Sequence, residues 1–440
     1  MSLEGLQRVR IAGATDVIVI GAGHAGLSIS YLLSEQGVDN VVLERGEVAN
    51  SWRNERWNSL KLLTPNWQTR LPGHYYSGDD PDGFMGMSEL VDFFDDYAAT
   101  LEAPLYTNTT VTSLFRDGTT YRVTTNRGTW RAKSVVIATG ACNKPSVPKV
   151  AASIPAGVTQ LTALDYRSPR QLEDGGVLIV GASATGMQLA DEILRSGRDV
   201  TMAVGEHVRM PRRYRGKDIL YWLDRSGIHG QRYDEVEDIN RGRKLPSPQL
   251  VGSNDKAILD LNSLSDQGAR IVGRLMGVRD GVAQFSGSLR NVCALADLKM
   301  KRLLNAIDEA CPVAAADGVP ERFDDTRVDT FPRLTLSFDT ANIRTVIWAT
   351  GFRPDYSWLN VPVLDRKGYL QHDGGIVDMP GMYVLGLPLM RRRKSSFIYG
   401  IEDDARDISE HLIQYLDTTR SLNDGIYQYD TGARGHRRSA

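Results

Sequence analysis

Three glycines early in the chain have the spacing of a loop that binds the phosphates of a nucleotide. Gly21, Gly23 and Gly26 form the pattern G-x-G-x-x-G directly after the apolar run 17–20. In such a loop the first glycine makes a tight turn, the second lets the backbone approach a pyrophosphate, and the third lets a helix pack on a strand. Glu44 ends the next apolar run, 18 residues after Gly26, where a carboxylate can accept the hydroxyls of a ribose. The pattern predicts a βαβ unit that binds a dinucleotide.

The same pattern occurs a second time in the middle of the chain. The apolar run 177–180 leads into a loop at residues 181–186, GASATG, in which a serine stands at the position of the middle glycine. Two further apolar runs each end in Ala-Thr-Gly, at residues 138–140 and 349–351. Two loops and two such strands predict two nucleotide-binding domains. The residues of these segments that we expect to bind cofactors are Ala138, Thr139, Gly140, Gly181, Ser183, Ala184, Thr185, Gly186, Ala349, Thr350 and Gly351.

The order of these segments predicts an α/β fold of two dinucleotide-binding, Rossmann-like domains, the second inserted in the first. We expect residues 1–153 and 343–440 to form the first domain and residues 154–342 to form the second. Residues 217–332 exceed what a nucleotide-binding domain needs, and we expect a helical insertion there that either packs as structure or lines a substrate entrance. Two nucleotides in one enzyme indicate that a hydride passes from one to the other.

The composition is that of an ordinary globular protein, with 41% hydrophobic and 24% charged residues. The formal net charge of −2 does not indicate binding to nucleic acid or to an anionic membrane, and no apolar stretch is long enough to cross a bilayer. Cys142, Cys293 and Cys311 form no C-x-x-C pair, and the 7 histidines are scattered. We therefore expect a cytoplasmic protein without a dithiol centre or a metal site.

Taken in order, the segments GAGHAG, GEVANSWR, ATG, GASATG and ATGFRP resemble the class B flavoprotein monooxygenases, which include the flavin-containing monooxygenases, Baeyer–Villiger enzymes and N-hydroxylases. The resemblance covers almost the whole chain. It implies that FAD binds at the first loop and NADPH at the second. It also implies that residues 43–65 run past the pyrophosphate and under the flavin, and that residues 380–387 and 396–400 return to it. The further cofactor-binding residues that it implies are Arg45, Ser51, Trp52, Gly386, Ser396 and Phe397.

The resemblance implies an NADPH-consuming monooxygenase, in which a flavin C4a-(hydro)peroxide inserts one oxygen atom of dioxygen into a small organic substrate. Oxidation at nitrogen, oxidation at sulfur and Baeyer–Villiger oxidation all stay open, as does assembly into a homodimer. The family pattern F-x-G-x-x-x-H is not matched at residues 156–162. The alternative is therefore a flavin NAD(P)H oxidoreductase or oxidase that releases hydrogen peroxide without inserting oxygen. Thr64 is the nearest polar candidate for a catalytic residue beside the flavin, unless it only caps a turn.

Basic residues near the second loop bear on the choice of nicotinamide cofactor. The 2′-phosphate of NADPH attracts arginine, whereas a carboxylate repels it. We expect NADPH rather than NADH, with Arg209, Arg212 or Arg213 on the phosphate; the alternative for these residues is a solvated loop. Another basic run, residues 391–394, precedes the flavin-facing segment. This run either binds an anionic substrate group or cofactor phosphates, or it is a surface loop.

Overall fold

The computed structural model describes residues 11–312 and 318–433 of the chain. Its first elements are β1 (Ile11–Ile20), α1 (His24–Glu35), β2 (Asn40–Leu43), α2 (Asn50–Asn54), β3 (Arg70–Leu71), β4 (His74–Tyr75), α3 (Met87–Ala99), β5 (Leu105–Tyr106), β6 (Val111–Asp117), β7 (Thr120–Thr125), β8 (Gly128–Ile137) and β9 (Lys144–Pro145).

The next elements span residues 159–348. They are β10 (Thr159–Thr162), β11 (Gly176–Val180), α4 (Ala184–Arg195), β12 (Val200–Val204), β13 (Arg213–Tyr214), β14 (Lys217–Asp218), α5 (Ile219–Arg225), α6 (Ile239–Gly242), α7 (Leu261–Asp266), β15 (Arg270–Gly273), β16 (Leu275–Arg279), β17 (Val282–Phe285), α8 (Leu289–Ala310), β18 (Thr335–Ser337) and β19 (Ile343–Trp348). The last are β20 (Phe352–Arg353), β21 (His372–Asp373), β22 (Ile376–Val377), β23 (Met382–Val384) and α9 (Ile401–Ala433).

The first sheet contains the first predicted nucleotide-binding unit. Its main path runs β21-β22-β23-β8-β1-β2-β5, and the hairpin of β6 and β7 joins it at β8. β1 lies parallel to both neighbours, with Val19 opposite Val42 and Val136. Helix α1 packs against α9. The buried side chains of α9 recur every three or four residues, as on one face of a helix, at Ile401, Ala405, Ile408, Leu412 and Leu416.

The second sheet contains the second predicted unit. Its order is β10-β19-β11-β12-β15, and every pair in it is parallel. All residues of β11 and β12 are buried, as is usual for parallel strands that are covered on both faces. Helix α4 begins directly after the loop that follows β11. The predicted α/β fold with two dinucleotide-binding domains is confirmed.

The domain boundary differs from the predicted one. Strand β19 lies between β10 and β11, with Val346 opposite Leu178, so residues 343–351 belong to the second domain and the boundary predicted at residue 343 is wrong. The first domain resumes after β20, where Phe352 pairs with Pro145 of β9 in a two-stranded link between the domains. The error has a simple cause, because both Ala-Thr-Gly strands have the same local pattern, which does not show the sheet that each strand joins.

The region predicted as a helical insertion, residues 217–332, also contains strands. β15 is the edge strand of the second sheet, next to β12. β17 pairs with β16 on one side and β18 on the other in a small antiparallel sheet. Helix α8 is amphipathic and buries Cys293, Met300 and Ile307. The strands and the start of α8 therefore complete the second domain, whereas the second half of α8 packs with α5 in a separate hydrophobic cluster that includes Trp222.

Candidate functional site

The carboxyl ends of the parallel strands of both sheets open into one cleft of about 2670 Å³. A site for one small ligand usually has about 300–1,000 Å³, so this cleft has room for two nucleotides and a substrate. In open α/β sheets, ligands bind at this end of the strands. The predicted site residues that line the cleft are Gly21, Gly23, Glu44, Arg45, Ser51, Trp52, Thr64, Ala138, Thr139, Gly140, Gly181, Ser183, Ala184, Thr185, Ala349, Thr350, Gly351, Gly386, Ser396 and Phe397.

The first loop depends on its three glycines in different ways. Gly21 has a φ of +112°, and a Cβ there would lie 2.6 Å from the carbonyl oxygen of Ala138. Gly26 stands behind the loop, where a Cβ would overlap the carbonyl oxygen of Gly21; Gly186 has the same place behind the second loop. A Cβ at Gly23 would meet no described atom within 4 Å. The open space at Gly23 suits a pyrophosphate, whose charge the N-terminus of α1 stabilises.

The second loop repeats this geometry at the start of α4. Gly181 has a φ of +115°, and a Cβ there would overlap the carbonyl oxygen of Ala349. Ser183 has φ and ψ of −87° and −178°, almost the values of Gly23, which are −87° and −177°. Because these are extended dihedrals that any residue adopts, serine replaces glycine there without strain. Ala349 thus has the place at the second loop that Ala138 has at the first.

Glu44 connects the first loop to the segment after β2. Its carboxylate is 7% exposed and accepts the N–H groups of Ala22 at 2.8 Å and Gly46 at 2.9 Å. Each carboxylate oxygen has a second acceptor site, so Glu44 can still accept ribose hydroxyls from the cleft. Arg45 instead forms an ion pair with Glu55, to which the Ser51 hydroxyl donates at 2.9 Å. These bonds fix the chain where it passes along the cleft.

Three side-chain polar atoms of the cleft lining have no partner among the described residues: Thr139 Oγ1, His24 Nε2 and Tyr356 Oη. All three are buried. Burial lowers the pKa of His24 to about 4, so its imidazole is neutral at pH 7. Together with the open space at Gly23, Thr139 Oγ1 and His24 Nε2 fit a bound nucleotide as the missing partner. Sequence analysis assigned no role to His24, because it stands at a variable position of the loop pattern.

Thr64 lies in a segment that several other parts of the chain hold against the cleft. Its side chain is buried, with 6% exposure of the residue. Just before it, the Leu62 N–H donates to the Met85 carbonyl at 2.9 Å, and the Leu63 carbonyl accepts from Arg212 Nη1 at 2.8 Å. The structure thus gives Thr64 a fixed place at the cleft, and its catalytic role stays a prediction.

Of the arginines predicted to bind the cofactor phosphate, Arg209 and Arg212 are held in buried ion pairs, and none of Arg209, Arg212 and Arg213 lines the cleft. Arg209 is 6% exposed and forms ion pairs with Asp260 at 2.7 Å and Asp297 at 2.6 Å. Arg212 is equally buried and is paired with a carboxylate, and Arg213 donates to a carbonyl of its own turn. Arg209 and Arg212 are therefore structural, since a buried charge needs such partners.

Other basic residues occupy the end of the cleft beyond β12. Arg274 follows β15, and its side-chain stem passes 3.9 Å from the place that a Cβ of Gly205 would have. Arg302 of α8 also lines the cleft, and neither guanidinium has a partner among the described residues. Glu206, the carboxylate next to Gly205, is paired with Lys299 at 3.2 Å. Sequence analysis missed Arg274 because it did not predict β15 as a neighbour of β12.

An aromatic group joins the two domains at the cleft. The ring of His229, from the second domain, lies 5.5 Å from the ring of Phe397 and hydrogen-bonds through Nδ1 to the Tyr399 hydroxyl. Burial, followed by two nearby cations, lowers the pKa of His229 to about 4. The imidazole is therefore neutral at pH 7. A single histidine far from other motifs carries no spacing signal, so sequence analysis missed this contact.

The two nucleotide loops are not accompanied by a dithiol. All three cysteines are free; Cys142 lines the cleft, whereas Cys293 and Cys311 are buried elsewhere. In the described part of the chain, no three His, Cys, Asp or Glu side chains group as a metal site would require. Within the same residues, no helix has both the length and the apolar character that crossing a membrane needs. The lining of the cleft combines glycines, polar side chains and arginines with many apolar side chains.

Comparison with known proteins agrees with this geometry. Residues 18–226 match the family described as pyridine nucleotide-disulphide oxidoreductase. A CzcO-like oxidoreductase of Geobacillus kaustophilus (strain HTA426) is 31% identical over 403 residues, which cover 91% of this chain and 99% of that protein. Indole-3-pyruvate monooxygenase YUCCA8 of Oryza sativa subsp. indica is 30% identical over 322 residues, which cover 62% of this chain and 76% of that protein.

A solved structure has the same fold along almost its whole length. It is a flavin-containing monooxygenase from Stenotrophomonas maltophilia, 19% identical, with a TM-score of 0.66 over 92% of this chain and 99% of that one. The sequence relatives supply the family, and this structure supplies the fold. The chain belongs to the class B flavoprotein monooxygenase family and is a flavin-dependent enzyme that uses a nicotinamide cofactor.

Proposed function

We propose that the enzyme is an FAD- and NADPH-dependent monooxygenase that inserts one oxygen atom of dioxygen into a small organic substrate. The observation that carries this proposal is the single cleft, which both nucleotide loops line. A flavin bound at the first loop would accept hydride from a nicotinamide at the second and react with dioxygen, chemistry that protein side chains do not supply. The chain's own task is then to hold, orient and shield the reactants.

FAD, rather than a mononucleotide, is supported by the features of the first loop. The open space at Gly23 and the N-terminus of α1 suit a pyrophosphate, which FAD has and the flavin mononucleotide lacks. Glu44 has acceptor sites for a ribose beyond the pyrophosphate. The unpartnered Thr139 Oγ1 and His24 Nε2 supply further polar contacts to the same ligand.

NADPH, rather than NADH, is supported by Arg274 and Arg302. Both line the cleft. Arg274 lies near Gly205, which follows β12, the second strand of the βαβ unit, where a 2′-phosphate is bound in this type of fold. Arg302 is one turn of α8 after Lys299, the partner of Glu206. Neither guanidinium is neutralised by a described carboxylate, whereas the nearby Glu206 is held by Lys299. A phosphate would therefore meet two available cations and no free carboxylate at this place.

Water must be kept from the reacting atoms, and a cluster of stacked side chains lines the cleft at the junction of the domains. Arg56 packs over the ring of Trp52 at 5.4 Å and that of Phe352 at 5.9 Å. All three residues line the cleft, and Phe352 belongs to the link between the domains. This cluster of stacked side chains shields one part of the cleft from solvent.

An NAD(P)H oxidase is the second candidate. The observation that favours it is that residues 156–162, which lack the pattern F-x-G-x-x-x-H, do not line the cleft. In the related monooxygenases, the segment with this pattern is linked to oxygen chemistry. Residues 156–162 do not supply such a segment at the cleft of this chain. An oxidase would bind the same two cofactors and release hydrogen peroxide.

The balance of oxygen and peroxide tests the proposal. The purified holoenzyme is given NADPH, and oxygen uptake and hydrogen peroxide are measured with and without amines, sulfides and ketones; indole-3-pyruvate is included because the rice relative is named for it. We expect FAD to be released on denaturation and the peroxide yield to fall as an oxygenated product forms. Peroxide equal to the NADPH consumed with every compound would favour the oxidase, and protein that never holds flavin would refute both candidates.

A further inference from the structure

The basic run at residues 391–394 is neutralised at three of its four positions. Arg391 bonds Asp407 at 2.9 Å, and Arg392 bonds Asp404 at 2.7 Å. Lys394 forms an ion pair with Asp403 at 2.7 Å, and all three aspartates belong to helix α9. The run is therefore fixed to the first turns of α9, and only Arg393 is left out of this network.

Arg393 faces the cleft instead. Its Nε donates to Gln231 Oε1 at 2.6 Å, and its backbone N–H donates to the Gln231 carbonyl at 3.1 Å. Burial lowers the pKa of Arg393, and no carboxylate offsets this effect. A half-buried guanidinium without a counter-ion is costly, so an anion supplied by a ligand would remove an existing penalty.

The bond to Gln231 fixes the direction of the Arg393 side chain. Nε is occupied, and the two Nη nitrogens have no partner among the described residues. The planar fork that they form matches a carboxylate, which it can bind through two parallel hydrogen bonds. The two Nη nitrogens of Arg393 are therefore available to bind a carboxylate.

Aromatic side chains lie near Arg393 in the cleft. His229 is near enough to Arg393 for the arginine charge to help lower its pKa, and its ring lies 5.5 Å from that of Phe397; both rings line the cleft with Arg393. Such a wall suits a hydrocarbon or aromatic body attached to the anionic group. A dinucleotide phosphate would bring a strongly hydrated ribose to the same place, which this wall does not suit.

We propose that Arg393 is the residue that selects the substrate, by binding the carboxylate of a small organic acid with an apolar or aromatic body. This inference rests on the proposed function, because it assigns the substrate of the same cleft. Arg243, which also lines the cleft, is a weaker candidate: Tyr233 and Asp373 lie close enough to favour its charge. Among the residues that the structure describes, no acidic group is near enough to favour the charge of Arg393 in this way.

A matched pair of probes tests the proposal by binding, without turnover. Para-(methylthio)phenylacetate and its methyl ester share the same body and the same oxidisable sulfur, and differ in charge. Dissociation constants are measured by calorimetry with the oxidised holoenzyme. We expect the acid to bind about 10²–10⁴-fold more tightly than the ester, the range that two charge-assisted hydrogen bonds produce.

Variants assign that preference to Arg393. Arg393→Gln is expected to remove the preference for the acid and to leave the affinity for the ester, the flavin content and the affinity for NADPH unchanged. Arg393→Lys keeps the charge without the fork and is expected to retain part of the preference. The matched control is Arg366→Gln, at an exposed arginine that does not line the cleft, and it is expected to behave as the wild type.

The outcomes are distinct. Equal binding of acid and ester to the wild type, or binding of neither, overturns the proposal. Loss of flavin or of NADPH affinity in a folded Arg393→Gln protein also overturns it and assigns the arginine to cofactor phosphates. If the acid binds as expected but no NADPH-dependent oxygenated product forms, the anion site stands and the monooxygenase proposal fails. Oxygenation of acid and ester with equal kcat/KM refutes the anion site alone.

Discussion

Replacing Gly23 with valine should abolish flavin binding and leave the protein folded. Gly23 has an extended backbone, with φ of −87° and ψ of −177°, which a valine adopts without strain. A Cβ there would meet no described atom within 4 Å, and no side-chain cap bond is lost. Because a side chain at such a site reduces the freedom of the unfolded chain, the free energy of unfolding should stay equal or rise by up to about 1 kcal/mol.

The loss of cofactor affinity follows from the same open space. The valine would occupy the space through which the pyrophosphate approaches the N-terminus of α1. Losing two charge-assisted hydrogen bonds, each worth about 1.5–3 kcal/mol, removes about 3–6 kcal/mol of binding free energy. The dissociation constant for FAD should therefore rise by about 10²–10⁴-fold.

The assay measures both quantities on the same protein. Flavin content is determined after purification, the affinity for added FAD by fluorescence titration, and stability of the apoprotein by urea unfolding. Gly157→Val is the matched control, because Gly157 is exposed, has equally open surroundings and does not line the cleft. Gly26→Ala should instead unfold the protein, since its Cβ would overlap the carbonyl oxygen of Gly21. Normal flavin content in Gly23→Val, or loss of flavin caused by unfolding, would refute the reasoning.

Three further predictions concern the second domain. Arg274→Gln should raise the KM for NADPH about 10-fold or more and leave the KM for NADH unchanged, as one charge-assisted bond is lost; equal effects on both cofactors in steady-state kinetics would contradict its assignment. Arg209→Met leaves two buried aspartates without their cation and should lower the free energy of unfolding by about 3–5 kcal/mol, as measured by urea titration. The control is Lys301→Met, at an exposed ion pair, which should change the free energy of unfolding by less than about 1 kcal/mol. Because burial holds the pKa of His229 at about 4, below its ordinary 6.5, the unfolded chain binds the extra proton first, and stability should fall between about pH 6.5 and 4 and then level off. His229→Asn should make that decline shallower when unfolding is measured across this pH range; an unchanged slope would exclude a buried neutral imidazole.

The two nucleotide loops could be predicted because their function is encoded locally. Gly21 needs a positive φ, and Gly26 needs room for a helix to approach a strand, so both requirements appear as fixed spacings in the sequence. Ser183 shows the limit of the pattern, since the middle position needs space for a ligand and not a special backbone. The α/β fold followed from these units and from their duplication.

The rest depended on contacts between distant parts of the chain. Ala349 follows a strand whose sheet is set by pairing with β10 and β11, and the local pattern is the same for either sheet. Arg209 is a phosphate candidate in the sequence, but it is neutralised by Asp297, 88 residues away. Arg274 reaches the cleft only because β15 lies beside β12. Charge and spacing show which residues could bind a phosphate, whereas the fold decides which cations are left without a partner.

The fate of isotopically labelled dioxygen tests the central claim most directly. The holoenzyme is incubated with NADPH, labelled dioxygen and a small carboxylic acid that binds in the calorimetric experiment, and the products are analysed by mass spectrometry. The account predicts one labelled oxygen atom in the organic product for each NADPH consumed. Label found only in hydrogen peroxide and water, with the acid unchanged, would contradict it.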